Sequence, residues 1–192
     1  MRQVFSEEGL LDAGMEIVQR EGYEAVTMRN VAVEAGSSVQ PLYSIFGDRE
    51  SYMRALYDRA VEWVRTYNAE HSDAGCTVFS SVGIAHIRIA QNHPGIFSFV
   101  YMSPYVQARN MTELLLLAEQ PGVLAQMESM WGLTDDRAKA LYSNLAIYTH
   151  GLSTLIMAGA KFSDEELQAG MNEVFRALAS SYGVDIPRKC DA

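Results

Sequence analysis

AVEAGSSVQPLYSIFGDRE, residues 32–50, is the stretch from which the rest of the chain is read. A helix-like run ends at Gly36, a polar pair follows, and Pro41 stands three residues past Ser38 in a segment otherwise spaced like a helix. With Ser38 as N-cap, Val39, Gln40 and Pro41 take the first three helical positions. The N–H groups of a first turn have no intrahelical partner. A proline there loses no hydrogen bond, and its restricted φ already suits a helix. Gly36 supplies the positive φ of a tight turn. Two short helices joined by such a turn form a helix-turn-helix.

This motif presents the leading residues of its second helix to the DNA major groove. Here those are Ser37, Ser38, Val39, Gln40 and Pro41. Gln40 can make paired hydrogen bonds to adenine, and Val39 and Pro41 can touch a thymine methyl. Tyr43, Ser44 and backbone N–H groups can reach phosphates. Leu42, Ile45 and Phe46 are spaced to pack inward. The same spacing also fits an αα-corner in an ordinary bundle, whose polar residues are simply solvated.

Upstream, Ser6 is placed to cap a first helix, with Glu7 and Glu8 set against the helix dipole. Leu10, Ala13, Gly14, Ile17 and Val18 form one apolar face, and Gly22 ends the helix. Thr27 caps a second helix that buries Met28, Val31, Ala32 and Ala35. Asp48 caps a fourth, from Arg49 to about Asn68. Downstream, helices are expected over Thr77–Gln91, near Ala108–Ala118, over Val123–Met130, and from Arg137 to Ala160 behind a Thr134 cap. Ser163 with Glu166 makes a capping box for a last helix, Asp164–Tyr182. The tail GVDIPRKCDA reads as frayed. The fold class is all-α: a helix-turn-helix domain over residues 1–48 and a larger helical domain over residues 49–192.

The chain has 192 residues, 48% hydrophobic and 20% charged, an ordinary composition for a soluble protein. No apolar run is long enough for a membrane span, and no secretory signal opens the chain. Cys76 and Cys190 have no metal or redox spacing and read as free thiols in a reducing cytoplasm. The formal charge is −9, which argues against partners held by charge alone.

Residues 10–56, LLDAGMEIVQREGYEAVTMRNVAVEAGSSVQPLYSIFGDRESYMRAL, resemble the N-terminal domain of TetR/AcrR-type transcriptional regulators. The resemblance rests on Gly22-Tyr23, Thr27, Ala35-Gly36, Leu42-Tyr43, Phe46 and Asp48-Arg49-Glu50. IYTHGLSTLIMAGAKFSDEEL, residues 147–167, is similar to the last-but-one helix and its turn in many such proteins. The resemblance implies phosphate contacts by Thr27, Tyr43 and Arg49, and base-facing roles for Ser38, Val39 and Gln40. One departure stands out: no Lys or Arg lies between Arg29 and Arg49. Residues 1–66 hold seven basic and eleven acidic side chains, a net charge of −4. Arg2, Arg29, Arg49 and Arg54 are then the basic residues on which DNA binding depends.

The resemblance also implies a homodimer paired through the last two long helices, so that two heads read two half-sites of a palindromic operator on double-stranded DNA. Leu141, Leu145, Tyr148, Leu152, Leu155 and Ile156 line one helix, and Leu167, Met171, Val174, Phe175 and Leu178 the other. Both faces also fit an intramolecular core. The body is expected to hold a small-molecule effector, lipophilic or aromatic. Its candidate residues are His86, Phe97, Tyr101, Met102, Tyr105, Met127, Trp131, Tyr142, Asn144 and Tyr148, with Met111, Met130, Phe99 and His150 alongside. Plain core explains such residues equally well. No cofactor or metal is implied, since His71, His86, His93 and His150 lack ligand spacing. The chain contains no nucleophile elbow or phosphate-cradling loop, which speaks against an enzyme. The reading is therefore a ligand-responsive repressor. Its rival is a helical interaction protein whose head no longer binds DNA.

Overall fold

The computed structural model describes residues 5–71, 78–108, 110, 113 and 122–186. Among them are nine α-helices, one 3₁₀ turn and no strand. In chain order the helices are α1 (Glu7–Glu21), α2 (Met28–Glu34), α3 (Gln40–Phe46), α4 (Arg49–Glu70), α5 (Val78–Asn92), α6 (Pro94–Met102), α7 (Val123–Trp131), α8 (Asp135–Met157) and α9 (Asp164–Ser181), with the 3₁₀ turn at Tyr23–Ala25. Thr77, Cys76, Met111, Cys190, Arg2, the tail from 187 onward and nearly all of the helix expected near 108–118 lie outside the described residues. No described helix is long and apolar enough to cross a membrane.

The chain divides into two compact units. The first runs to Val64 and adds Asn92–Gln107; the second takes Arg65–Gln91 and the chain from Ala108 on. Packing therefore divides the chain elsewhere than at residue 48. The reason lies in the first unit's core. Tyr52, Met53 and Leu56 of α4 are buried with the apolar face of α1, and Ile96, Phe97, Phe99 and Val100 of α6 are fully buried. The Tyr52 hydroxyl donates to the Leu10 carbonyl at 2.8 Å, and the Tyr57 hydroxyl to the Val100 carbonyl at 3.0 Å. Burial raises both phenol pKa values. Gly95 is a close-approach residue, because a Cβ there would run into the Val18 carbonyl of α1.

The caps of α1 and α2 form as the side chains suggest. Gly9 N donates to Ser6 Oγ at 3.1 Å, and Asn30 N to Thr27 Oγ1 at 3.1 Å. Asp48 Oδ1 accepts from Ser51 N at 2.8 Å at the start of α4. His93 opens α6, with Pro94 in its first turn.

In the second unit, Leu141, Tyr142 and Leu145 of α8 pack with Met127 of α7 and Phe175 of α9. A smaller cluster joins Ile87, Leu167 and Met171. α9 carries the reciprocal capping box of Ser163 and Glu166. Thr134 occupies the N-cap of α8 without a side-chain bond. α8 ends at Met157, three residues short of Ala160. Gly159, at φ 99°, turns the chain there, and the Gly159 and Ala160 N–H groups close back on Ile156 and Leu155.

Candidate nucleic-acid interface

The helix-turn-helix is built from α2, a turn and α3. Gly36 stands at φ 63° in the turn, and Ser37 N returns to the Ala32 carbonyl at 2.8 Å. The first correction concerns Ser38, which is not the N-cap. Val39 holds that position, already with helical angles (φ −71°, ψ −15°), and no side chain caps the turn. Ser37 Oγ donates instead to the Ser38 carbonyl. Gln40 and Pro41 are therefore the first two helical residues, and the proline still needs no partner for its nitrogen.

The leading turn is open. Ser38, Val39, Gln40, Tyr43 and Ser44 are exposed, and Ser37 and Pro41 are half-buried. Leu42 is fully buried, and Phe46 meets the Tyr52 ring edge-on at 4.9 Å. Ile45 is the second correction: it was expected to pack inward, yet it is 40% exposed. Leu42 and Phe46, one turn apart, take the inward face of this short helix.

Arg29 is exposed and forms no ion pair among the described residues. Arg49, exposed overall, turns part of its guanidinium back on the head: Nη2 donates to the Val26 carbonyl at 3.2 Å and Nη1 to Tyr105 Oη at 3.4 Å. Its remaining N–H groups have no partner among the described residues. Arg54 pairs with Glu50 at 3.1 Å and Arg59 with Asp12 at 2.8 Å. Arg20 straps α1 to α2 by a two-pronged bond to Glu34, at 3.3 and 2.7 Å. That bond holds the Glu34 carboxyl below its usual range. Asn30 Nδ2 donates to the Ala25 carbonyl at 2.8 Å, tying α2 to the 3₁₀ turn. Sequence reasoning missed the Arg20 strap and the Arg49 contacts, because their partners lie 14 to 56 positions away and no local spacing encodes them.

Residues 10–56 match the family described as bacterial regulatory proteins, tetR family. That match is confined to the head of the chain. The all-α fold is shared with solved structures well beyond the head. A tetR-family transcriptional regulator from Streptomyces coelicolor superimposes with a TM-score of 0.70 at 17% identity, over 92% of this chain and 84% of that one. A TetR family transcription regulator from Marinobacter aquaeolei gives 0.54 at 18%, over 88% and 93%. The TetR-family repressor AlkX from a Dietzia strain, implicated in biodegradation of n-alkanes, gives 0.50 at 21%, over 91% and 98%. No curated protein matches the chain in sequence.

The effector candidates fall in two groups. Phe97, Tyr101, Met102 and Tyr105 belong to the first unit. Phe97 is fully buried against Tyr101, with ring centroids 5.1 Å apart, whereas Met102 is 51% exposed. Tyr105 meets Tyr23 and Phe99 edge-on and receives the Arg49 contact. The others belong to the second unit. Met127 and Tyr142 are buried in its larger cluster, with Trp131 against it, and Tyr148 packs on the smaller one. Asn144 is exposed and donates to Tyr182 Oη at 3.0 Å. His86, half-buried with its Nε2 buried, lies 5.7 Å from the His150 ring. Burial first, and the His150 charge second, push His86 down to about 3. A groove of about 90 Å³ between α5 and the start of α9 is lined by Ile84, Arg88, Gln91 and Gln168 among others. That volume is well below the roughly 300 Å³ of a small-ligand pocket.

The dimer candidates also separate. Met171 and Phe175 are buried inside their own subunit. Leu152, Ile156, Val174 and Leu178 are half-buried, and Leu155 is 53% exposed. Ile147 and Gly151 share the exposed stripe of α8 with Leu155, and at Gly151 an added Cβ would meet open space.

Proposed function

We propose that the chain is a cytoplasmic repressor that binds a palindromic operator as a homodimer and is released by a small lipophilic or aromatic effector. Residues 1–48 read DNA, and residues 49–192 hold the effector and the dimer contacts. The observation that carries this reading is the open leading turn of α3, with Val39, Gln40 and Tyr43 exposed on a family-matched helix-turn-helix. Thr27, Arg29, Ser37, Ser38, Pro41, Ser44 and Arg49 complete its DNA-facing set. The apolar stripe of α8 supports pairing, because a lone head buries too little surface for specific binding. The aromatic and methionine side chains of the body support an apolar effector. Such a ligand acts by binding one head separation better than another.

A second reading, a helical interaction protein whose head has lost DNA, draws on the acidic head and its carboxylate-paired arginines. Selection of bound duplexes from a random pool separates the two. The repressor reading expects a palindromic consensus. Gln40→Ala should then relax base choice at one position per half-site, whereas Arg49→Ala should weaken binding to all sequences. Recovery of no duplex at low salt would favour the second reading.

A further inference from the structure

We propose that this head holds its operator mainly through base edges and thymine methyl groups, with few phosphate charges neutralised, so that its DNA affinity falls only gently with salt. The proposal rests on the DNA-binding reading above and names how that binding is achieved.

Its first support is the charge inventory. Among the described head residues, Arg20, Arg54 and Arg59 are each held by a carboxylate: Glu34, Glu50 and Asp12. An arginine that left its partner for a phosphate would leave a bare carboxylate on the same surface, so the local gain is small. Arg29 and Arg49 remain among the described residues, and Arg2 lies outside them. Arg49 already gives two N–H groups to Val26 and Tyr105 and keeps the others for a phosphate.

The second support is what the recognition surface offers instead. Val39 and Tyr43 stand one turn apart, as do Gln40 and Ser44, and these four make one exposed stripe. Val39 is 40% exposed and Tyr43 50%. Val33, on the preceding helix, is 74% exposed. A valine at a groove-facing turn has no hydrogen bond to give. Its match in a major groove is the C5 methyl of thymine, beside the adenine that Gln40 can read.

The magnitude follows from counterion release. Each neutralised phosphate adds about 0.9 to the slope of log affinity against log salt. The two described arginines, four per dimer, give a slope of about −3.6 and a loss of about 150-fold between 50 and 200 mM salt; with Arg2 added, six per dimer, the slope is about −5.4 and the loss about 1,800-fold. A protein with six to ten such contacts loses roughly 10³- to 10⁵-fold over the same range. Non-specific binding, which is almost wholly electrostatic, is correspondingly weak.

The test uses the full chain and duplexes selected from a random pool. Affinity is measured across salt, then again with each thymine of the half-site replaced by uracil, which lacks only the C5 methyl. The expected slope lies between about −3.6 and −5.4, and Arg29→Gln should flatten it by about 2. Wild type should lose about fourfold per half-site at one uracil position, the worth of one buried methyl, while Val39→Ala should be indifferent there. A slope of −6 or steeper, wild-type tolerance of uracil at every position, or full uracil sensitivity in Val39→Ala overturns the proposal. Thermal melting confirms that both variants are folded. If no duplex is selected at any salt, the DNA-binding reading itself falls, and this proposal with it.

Discussion

Gly95 shows what a single residue can decide in this chain. It follows Pro94 in the first turn of α6. In the fold it lets α6 meet α1 so closely that a Cβ would strike the Val18 carbonyl. Backbone cannot yield as a flexible side chain can. Gly95→Ala should therefore destabilise the first unit by about 3 kcal/mol, the upper range for overpacking. Chemical denaturation checks this, and an unchanged midpoint would mean that α6 shifts freely. The caps Ser6, Thr27 and Asp48 were legible because each acts within three residues of itself. Ser38 was misread because capping requires an extended residue just ahead of the helix, and here Val39 has already turned helical.

Helix α9 is the element whose start is written most locally. Ser163 Oγ accepts from Glu166 N at 3.1 Å, and Glu166 Oε2 accepts from Ser163 N at 2.8 Å. Ser163→Ala should cost about 1 kcal/mol, the usual worth of an N-cap. The expected readout is a lower denaturant midpoint with an unchanged slope, and a loss below the error of the fit would count against the box as a stabilising feature. The Glu166 carboxyl lies below its usual range because Ser163 donates to it, so the box is also lost under acid. The end of α8 was less legible. Thr134 and the apolar spacing set a long helix, but the stop at Met157 depends on Gly159 entering the left-handed region. A glycine permits that without requiring it.

The molecule as a whole carries a pH dependence in its second unit. His86 titrates at about 3 when folded, against an ordinary 6.5, and burial lowers His150 as well. Burial disfavours the charged form of both imidazoles in the folded chain, so the unfolded chain takes up the protons first. The stabilisation is complete above pH 6.5 and is lost as pH falls toward 3. His86 alone contributes at most about 2 kcal/mol of loss between pH 6.5 and 5. Melting temperature should fall over that range, and His86→Gln should flatten the fall; an equally steep profile in the variant would assign it to other groups. Assembly is tested at α8. Leu155→Arg places a charge in the exposed stripe and should halve the solution mass measured by light scattering, leaving the melting of the subunit core nearly unchanged. A wild-type mass in that variant would move the interface elsewhere.

Sequence alone determined the all-helical class, the first-turn place of Pro41, the inward face of α1 and the caps of α1, α2, α4 and α9. Each follows from periodicity or from bonds spanning a few residues. Only tertiary structure decided which arginines of the head are held by carboxylates, that Arg49 leans on Val26 and Tyr105, and that Met171 and Phe175 are spent on their own subunit's core. Those outcomes depend on which surfaces meet after the chain has folded back across tens of residues, and no local spacing records that meeting.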